Sequence, residues 1–164
     1  MKVLHYVDEN KLTWGETWIQ LIEELSSRGL ENIVVCKSGG TLFERLGRAG
    51  ISSYVCDVPI SSLPISAMRF SKIISEVSPD IIHTRLSSAA RIGGFWGKIK
   101  NIPVAETLDK HAKIKYYKDA SLLLACSNSV ADDIIAQGFP REKVEVVPNP
   151  INVLHYRNGM SERE

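Results

Sequence analysis

The sequence lacks the features that mark several large classes of protein. No apolar run approaches the ~18 residues of a membrane span. The formal net charge of +1 is far from the strongly basic balance of a dedicated nucleic-acid binder. Only three cysteines are present, so they cannot all pair, and each lies in or beside an apolar run. We therefore expect buried free thiols in a reducing cytosol.

Two further signals are missing, and both absences narrow the prediction. No group of cysteines and histidines has the spacing of metal ligands, so the sequence predicts no metal site. The start of the chain turns polar at Asp8, too early for the apolar core of a signal peptide. We expect a soluble, cytoplasmic domain.

What the 164 residues do contain is a regular alternation of short apolar strands and amphipathic helices. This order predicts an α/β fold, a Rossmann-like three-layer domain with a mainly parallel sheet. The predicted strands are 3–7, 32–36, 53–58, 80–82, 103–107, 120–126 and 144–147. We assign residues 1–152 to this domain and residues 153–164 to a linker or tail, because the apolar pattern fades there.

The stretch from Asp80 to Gly94 is the best candidate for a ligand site. The short apolar strand is expected to end at Ile82, before a turn formed by His83, Thr84 and Arg85. A serine at 87 or 88 is expected to cap the following helix. Ligands bind at the carboxyl ends of strands in open parallel sheets, and a helix N-terminus beside an arginine suits an anionic group.

Other residues have a functional and a structural interpretation, and the sequence leaves both open. Gly15 stands where a Rossmann fold keeps its phosphate loop, but the G-x-G-x-x-G pattern is absent. His83 can be an internally bonded residue, and Arg85 can bind a ligand. Glu106, Asp109 and His111 follow the fifth strand and can transfer protons or form a solvated turn.

Charge is unevenly distributed along the chain. The segment 91–118 holds seven lysine and arginine residues against only Glu106 and Asp109, together with four aromatic residues. This composition suits an anionic membrane surface or a phosphate-bearing acceptor, with a solvated helix face as the alternative.

Three segments in register resemble a known family. They are Asp80–Arg85 leading to Ile102–Thr107, then Ala120–Ser127 with its helix to Gly138, and finally Lys143–Asn152 with its Val-Pro-Asn sequence. In order and spacing they resemble the amino-terminal half of a GT-B glycosyltransferase of the group 1, GT4-like family. The resemblance covers almost the whole chain.

The resemblance implies a retaining transfer of a sugar from a nucleotide-sugar to an acceptor, without a metal or other cofactor. It implies that this half binds a glycan or lipid-linked acceptor, and that the carboxyl-terminal half, which would hold the nucleotide, is missing. The chain alone is then expected to be inactive. A peripheral contact with the inner face of the membrane is expected through the region Arg91–Lys118.

The resemblance also implies roles for individual residues. Gly15 faces the donor phosphates, and Asp109 and His111 are the catalytic candidates. The substrate-binding candidates are Thr13, Trp14, Gly15, Glu16, His83, Arg85 and Ser87. Two departures from the family pattern affect these roles. Trp14-Gly15 replaces a glycine-rich pair, and Leu108 stands where the family often has a histidine.

A second hypothesis belongs to a different class of protein. The same alternation of strands and helices is compatible with a non-catalytic Rossmann-like module that docks a partner domain through the end of its sheet. Fold alone does not choose between an enzyme half and such a module.

Overall fold

A computed structural model describes residues 1–11 and 15–150. These residues form seven strands and five α-helices. In chain order they are β1 (Lys2–Val7), α1 (Gly15–Ser27), β2 (Glu31–Cys36), α2 (Thr41–Arg48), β3 (Ser52–Val55), α3 (Met68–Val77), β4 (Ile81–Arg85), α4 (Ser87–Lys100), β5 (Val104–Leu108), β6 (Leu122–Ala125), α5 (Asn128–Ala136) and β7 (Val144–Val146). Single 3₁₀ turns cover Pro64–Ser66, Ile114–Tyr116 and Arg141–Lys143.

The strands form one sheet in the order β3-β2-β1-β4-β5-β6-β7, and every neighbouring pair is parallel. This confirms the predicted Rossmann-like three-layer architecture. The strand order reverses between β1 and β4, the position where open α/β sheets leave a crevice for ligands. The predicted linker at residues 153–164 lies outside the described residues.

The two faces of the sheet carry different helices. Helices α1 and α2 pack on β1 and β2 through a cluster that includes Trp18, Ile22 and Leu42. Helices α3, α4 and α5 cover the opposite face through two clusters that together reach from β2 to β7. Among the described residues, no helix covers β4, β5 and β6 on the α1 face.

Three glycines of α4 allow this helix to pack closely against the sheet. A Cβ added at Gly93 would collide with the Thr84 side chain, and one at Gly97 would collide with the Val104 side chain. At Gly94 it would stand 3.2 Å from a carboxyl oxygen of Glu106. The close packing of α4 on β4 and β5 therefore depends on the missing side chains.

We predict that Gly97→Ala destabilises the domain by about 1–3 kcal/mol, because overpacking forces the helix away from the sheet. Gly47→Ala in α2 is the matched control. An added Cβ there meets nothing within 4 Å, so better helix propensity should stabilise the domain by about 0.5 kcal/mol. Urea unfolding of both variants measures the difference, and equal effects would contradict the packing argument.

Several local predictions were wrong. Strand β4 does not end at Ile82 but continues to Arg85, so His83 and Thr84 lie inside the sheet rather than in a turn. Neither serine caps α4, since Leu86 is the N-cap and makes no side-chain bond there. Helix α5 is capped by Ser127, whose hydroxyl accepts from Val130 N.

The prediction of buried free thiols holds for two of the three cysteines. All three are free, with Cys36 and Cys56 buried and Cys126 half-buried. Burial raises the pKa of both Cys36 and Cys56 to about 11, so these thiols stay protonated and unreactive at neutral pH.

Candidate functional site

The carboxyl end of β4 passes directly into α4 through a single connecting residue. That residue, Leu86, has φ 79° and ψ 144°, a backbone conformation that a non-glycine residue rarely adopts. The sharp connection brings the start of α4 to the sheet edge beside the end of β5. The candidate site is built on these two strand ends.

An arginine–aspartate pair links β4 to the loop after β5. Arg85 Nε donates to Asp109 Oδ2 at 2.7 Å, and Arg85 Nη2 donates to Asp109 Oδ1 at 2.5 Å. Nη2 also donates to Asn149 Oδ1 at 2.9 Å, in the segment that follows β7. The Arg85 side chain is only 8% exposed, so this bidentate pair ties together three segments of the sheet edge.

Four polar side chains form a hydrogen-bonded chain across the sheet on the α1 face. Asn32 Oδ1 lies 2.9 Å from His5 Nε2, the two histidine Nδ1 atoms lie 2.9 Å apart, and His83 Nε2 lies 2.8 Å from Thr107 Oγ1. The amide nitrogen of Asn32 donates to Ser26 and Leu30. The oxygen of Asn32 is therefore the acceptor for His5.

The direction of every hydrogen bond in this chain follows from that acceptor. Burial lowers the pKa of His5 to about 4 and that of His83 to about 3, so both rings are neutral at pH 7. His5 Nε2–H donates to Asn32, His83 Nδ1–H donates to His5, and the Thr107 hydroxyl donates to His83. Both ring nitrogens of His83 are thus engaged within the protein.

A polar cavity of about 460 Å³ opens at the start of α4. It is lined by Ser61, Ser62, Ser87, Ser88, Arg91 and Tyr116. The Arg91 guanidinium lies 4.7 Å from the centre of the Tyr116 ring, and Ser87 Oγ lies 3.0 Å from the hydroxyl of Tyr117. Hydroxyl groups, an aromatic ring and a cation together form a surface suited to a sugar that bears an anionic group.

Glu106 was predicted to lie at the sheet edge, but it does not lie there. It sits within β5, fully buried under α4, between Thr84 on β4 and Leu123 on β6. Its carboxyl oxygens have no hydrogen-bond partner among the described residues. Burial first, and then the charge of Asp119, raise its pKa well above 4.5, so it cannot serve as an exposed base.

The two catalytic candidates make different contacts. Asp109 is bound to Arg85, whereas His111 is exposed and lies beside α5, with Nδ1 3.4 Å from Asp133 Oδ2 and Nε2 3.4 Å from Ser129 Oγ. The described contacts of His111 are thus with α5 and not with Asp109. Their catalytic roles stay a prediction that these contacts do not test.

The start of α1 holds the remaining candidates. Gly15 is the first residue of α1 and is buried. Glu16 accepts two hydrogen bonds from Arg45 of α2, at 2.7 and 3.0 Å, and those bonds lower its pKa. Thr13 and Trp14 lie outside the described residues.

Sequence reasoning missed Asn149 and Tyr117, which bond directly to predicted site residues. Asn149 lies in the Val-Pro-Asn segment that carried the family resemblance, so a signal for it existed. Tyr117 was noted only as one of four aromatic residues in the basic region. Its contact with Ser87 depends on the path of the loop after β5, which no local pattern indicates.

A second, mostly apolar groove of about 300 Å³ lies on the face of the sheet left open beside α1. The residues that line it include Trp18, Leu21, Leu25, Ile81, Ala105 and Leu124. Arg85, His83 and Thr107 form its polar end. Leu21 and Leu25 of α1 are half-buried because they border this opening.

Comparisons with known proteins give one family and one fold. The sequence model described as Glycosyltransferase Family 4 matches residues 15–153. No curated protein matches the chain significantly. Anabaena HepE in complex with UDP and glucose has a TM-score of 0.78 at 20% identity, over 95% of this chain and 46% of that chain.

Two other solved structures resemble the chain to a similar degree and over a similar share of its length. A glycosyltransferase from Rickettsia africae has a TM-score of 0.77 at 21% identity, over 96% of this chain and 45% of that chain. The lipopolysaccharide outer core galactosyltransferase WaaB has a TM-score of 0.70 at 20% identity, over 93% and 47%. The chain therefore spans about half the length of the structures it resembles.

Proposed function

Because the chain belongs to glycosyltransferase family 4 and has the fold of a GT-B amino-terminal half, we propose that it is the acceptor-binding half of a retaining glycosyltransferase. The enzyme would move a sugar from a nucleotide-sugar to an acceptor, with no metal or other cofactor. The observation that carries the proposal is the family match over residues 15–153.

The polar cavity at the start of α4 is the proposed acceptor pocket. Ser87 and Arg91 line this cavity, and Arg91 supplies a cation to it. Arg85 and Asp109 act at the neighbouring sheet edge, where their pair fixes the loop after β5. Gly15, at the buried start of α1, would face the donor phosphates across the cleft.

The donor is proposed to be a nucleotide-sugar, and the printed descriptions of the neighbours support this class. HepE is described in complexes with UDP, with UDP and glucose, and with UDP-glucose. UDP-glucose is therefore the first donor to test with this chain.

The acceptor is proposed to be a glycan or a lipid-linked glycan. WaaB is described as acting in the lipopolysaccharide outer core, and the basic region Arg91–Lys118 suits an anionic surface. In the described part of the chain, no helix is long and apolar enough to cross a membrane. We propose a cytoplasmic protein that contacts the inner face of the membrane peripherally.

The missing carboxyl-terminal half is the proposed partner. Parallel sheets are normally covered on both faces, yet the groove beside α1 leaves the apolar residues of β4, β5 and β6 accessible. The chain also spans only about half of each neighbour. Both observations support a second half that completes the enzyme and covers this face.

Sugar transfer by the reassembled enzyme tests the proposal. We expect this chain alone to give no transfer from radiolabelled UDP-glucose, and a mixture with a separately expressed carboxyl-terminal half from the same source to restore transfer. The anomeric configuration of the product, measured by NMR, tests whether the reaction is retaining. Full turnover by this chain alone would contradict the half-enzyme proposal.

The same mixture separates the enzyme from the non-catalytic binding module. If the two halves associate, as measured by calorimetry, but transfer no sugar from any nucleotide-sugar tested, the docking module is the better description. The open apolar groove favours docking under either hypothesis, so transfer and not association is the deciding measurement.

A further inference from the structure

The connection between β3 and α3 exposes a cluster of aliphatic side chains. Ile60, Leu63, Ile65 and Met68 are each 48–53% exposed, although they lie within nine residues of one another. Single exposed apolar residues are common on protein surfaces, but a contiguous group of large ones marks an interaction site.

This exposure does not come from a loose connection. Trp96 Nε1 donates to Pro64 O at 3.0 Å, and Arg91 Nη1 donates to Ser62 O at 3.1 Å. Two side chains of α4 therefore hold the backbone of this segment. Backbone bonds from Leu63 N to Ile60 O and from Ser66 N to Leu63 O close two turns within it. Two backbone carbonyl groups of the segment thus face α4, whereas its four large aliphatic side chains are about half exposed. We call residues 59–68 the apolar loop.

Positive charge surrounds the apolar loop. A cavity of about 280 Å³ beside it is lined by Ser62, Pro64, Arg91, Phe95, Lys115, Lys118 and Asp119. Helix α3, which begins at Met68, adds the exposed Arg69 and Lys72.

Acidic residues are few on the same elements, and Glu76 near the end of α3 is one of them. From Val58 to Ser75 and from Ile81 to Ala105 the sequence contains no acidic residue. Asp119, the acidic side chain that lines the cavity, is paired with Lys98 at 3.5 Å. The surface therefore combines an apolar centre with a cationic border.

We propose that the apolar loop inserts into the headgroup region of an anionic membrane, with Lys115 and Lys118 contacting the lipid phosphates. This deepens the peripheral membrane contact under the proposed function and rests on it. A bilayer fits better than a protein partner, because lysine is depleted at protein interfaces, whereas aliphatic residues flanked by lysine and arginine suit an anionic lipid surface.

Membrane binding at this position would present the acceptor pocket to the lipid surface. The polar cavity at the start of α4 shares Ser62 and Arg91 with the cavity beside the apolar loop. An acceptor with a lipid anchor could therefore stay in the membrane while its sugar reaches the sheet edge. The apolar loop would then act in substrate delivery as well as in attachment.

Co-sedimentation with vesicles tests this inference. The chain should bind vesicles of phosphatidylcholine with 30% phosphatidylglycerol (about a third anionic lipid, a common choice for surface-charge tests) and should release as NaCl is raised. Leu63→Ser with Ile65→Ser should weaken the partition coefficient at least about tenfold, as should Lys115→Gln with Lys118→Gln. Circular dichroism and thermal unfolding confirm that each variant is folded.

Matched controls lie elsewhere on the domain. Phe43→Ser removes an exposed apolar side chain from α2, and Arg141→Gln with Lys143→Gln removes two charges before β7. Neither change should alter vesicle binding. Equal binding to pure phosphatidylcholine, an unchanged partition of the Leu63/Ile65 variant, or no vesicle binding at all would overturn the inference.

Transfer to a water-soluble acceptor keeps the two proposals apart. In the reassembled enzyme, the Leu63/Ile65 variant should keep this transfer while losing transfer to an acceptor embedded in vesicles. If the unmodified chain binds vesicles but the reassembled enzyme transfers no sugar to either acceptor, the proposed function fails and the membrane surface stands. If the reassembled enzyme transfers sugar to the water-soluble acceptor but the chain does not bind vesicles, the proposed function stands and the membrane surface fails.

Discussion

Replacing Glu106 by glutamine is expected to stabilise the domain increasingly as pH rises above 4.5. The ordinary pKa of a glutamate is near 4.5, and burial raises the pKa of Glu106 well above it. Between these two pKa values the folded protein binds a proton that the unfolded chain releases. Stability is therefore lost with rising pH, at up to about 1.4 kcal/mol per unit, and a glutamine abolishes this loss.

The expected difference between variant and wild type grows with pH by up to about 1.4 kcal/mol per unit for as long as the folded carboxyl group keeps its proton. Urea unfolding at a series of pH values from 4.5 to 8 measures it. Other titrating groups, including His5 and His83, are common to both proteins and cancel in the difference. At pH 4.5 the variant should show no advantage, because the substituted amide would lack hydrogen-bond partners just as the protonated carboxyl group does.

An exposed glutamate supplies the control. Glu145 lies on β7 at the sheet edge and is exposed to solvent, so Glu145→Gln should change stability by less than about 0.5 kcal/mol at any pH in the series. If Glu106→Gln gave an equally flat difference, the Glu106 carboxyl would have to be ionised and solvated in the folded protein. The buried position under α4 would then be wrong.

The sequence predicted the architecture well because apolar periodicity reports directly on strands and helices. It failed at β4 for a physical reason. The apolar run of β4 stops at Ile82, but His83 and Thr84 continue the strand because neighbouring strands pair with both and His5 bonds the His83 ring. Long-range hydrogen bonds make a polar residue acceptable in a buried strand, and no local pattern records them.

Glu106 shows the same limit more strongly. The predicted strand 103–107 contains Glu106, yet the residue was grouped with Asp109 and His111 at the sheet edge. In the structure it occupies the centre of β5. The contacts that place it there come from Gly94, twelve positions earlier, and from the pairing with Thr84. The proton-transfer role expected for it was therefore based on a position that it does not occupy.

The charged region and the apolar loop show what composition can predict. The excess of lysine and arginine from 91 to 118 follows from counting residues, and it predicted either an anionic partner or a solvated helix face. No role was predicted for the apolar loop. The carbonyl groups of Ser62 and Pro64 accept hydrogen bonds from α4. These bonds hold the segment in place, so the exposure of its aliphatic side chains is a fixed feature of the surface.

Removing the Arg85 side chain is the second change with a large expected effect. Arg85→Ala should destabilise the domain by about 2–4 kcal/mol, because it leaves the Asp109 carboxylate at a sheet edge without its bidentate partner and frees Asn149. This loss of stability lies toward the lower end of the range for fully buried ion pairs, since the Asp109 side chain is 29% exposed. Equilibrium urea unfolding measures the loss.

A double-mutant cycle with Asp109→Ala isolates the pair itself. The sum of the two single losses in unfolding free energy should exceed the loss of the double variant. The difference is the coupling energy, expected to be about 1–3 kcal/mol. The exposed pair of Arg48 and Glu44 on α2, 3.7 Å apart, is the control and should couple by less than about 0.5 kcal/mol. Similar coupling in both cycles would mean that the Arg85 pair behaves as an ordinary surface contact.

Kinetics of the reassembled enzyme then separate the structural role of Arg85 from its predicted role in the site. If the pair positions Asp109 for the acceptor, Arg85→Ala should raise the KM for the acceptor and leave the KM for UDP-glucose unchanged. Arg85→Lys should restore little of this loss, because an ammonium group cannot make the two parallel bonds of a guanidinium. Lower stability with unchanged acceptor kinetics would remove both Arg85 and Asp109 from the site and leave the pair as a purely structural link between β4, β5 and the segment after β7.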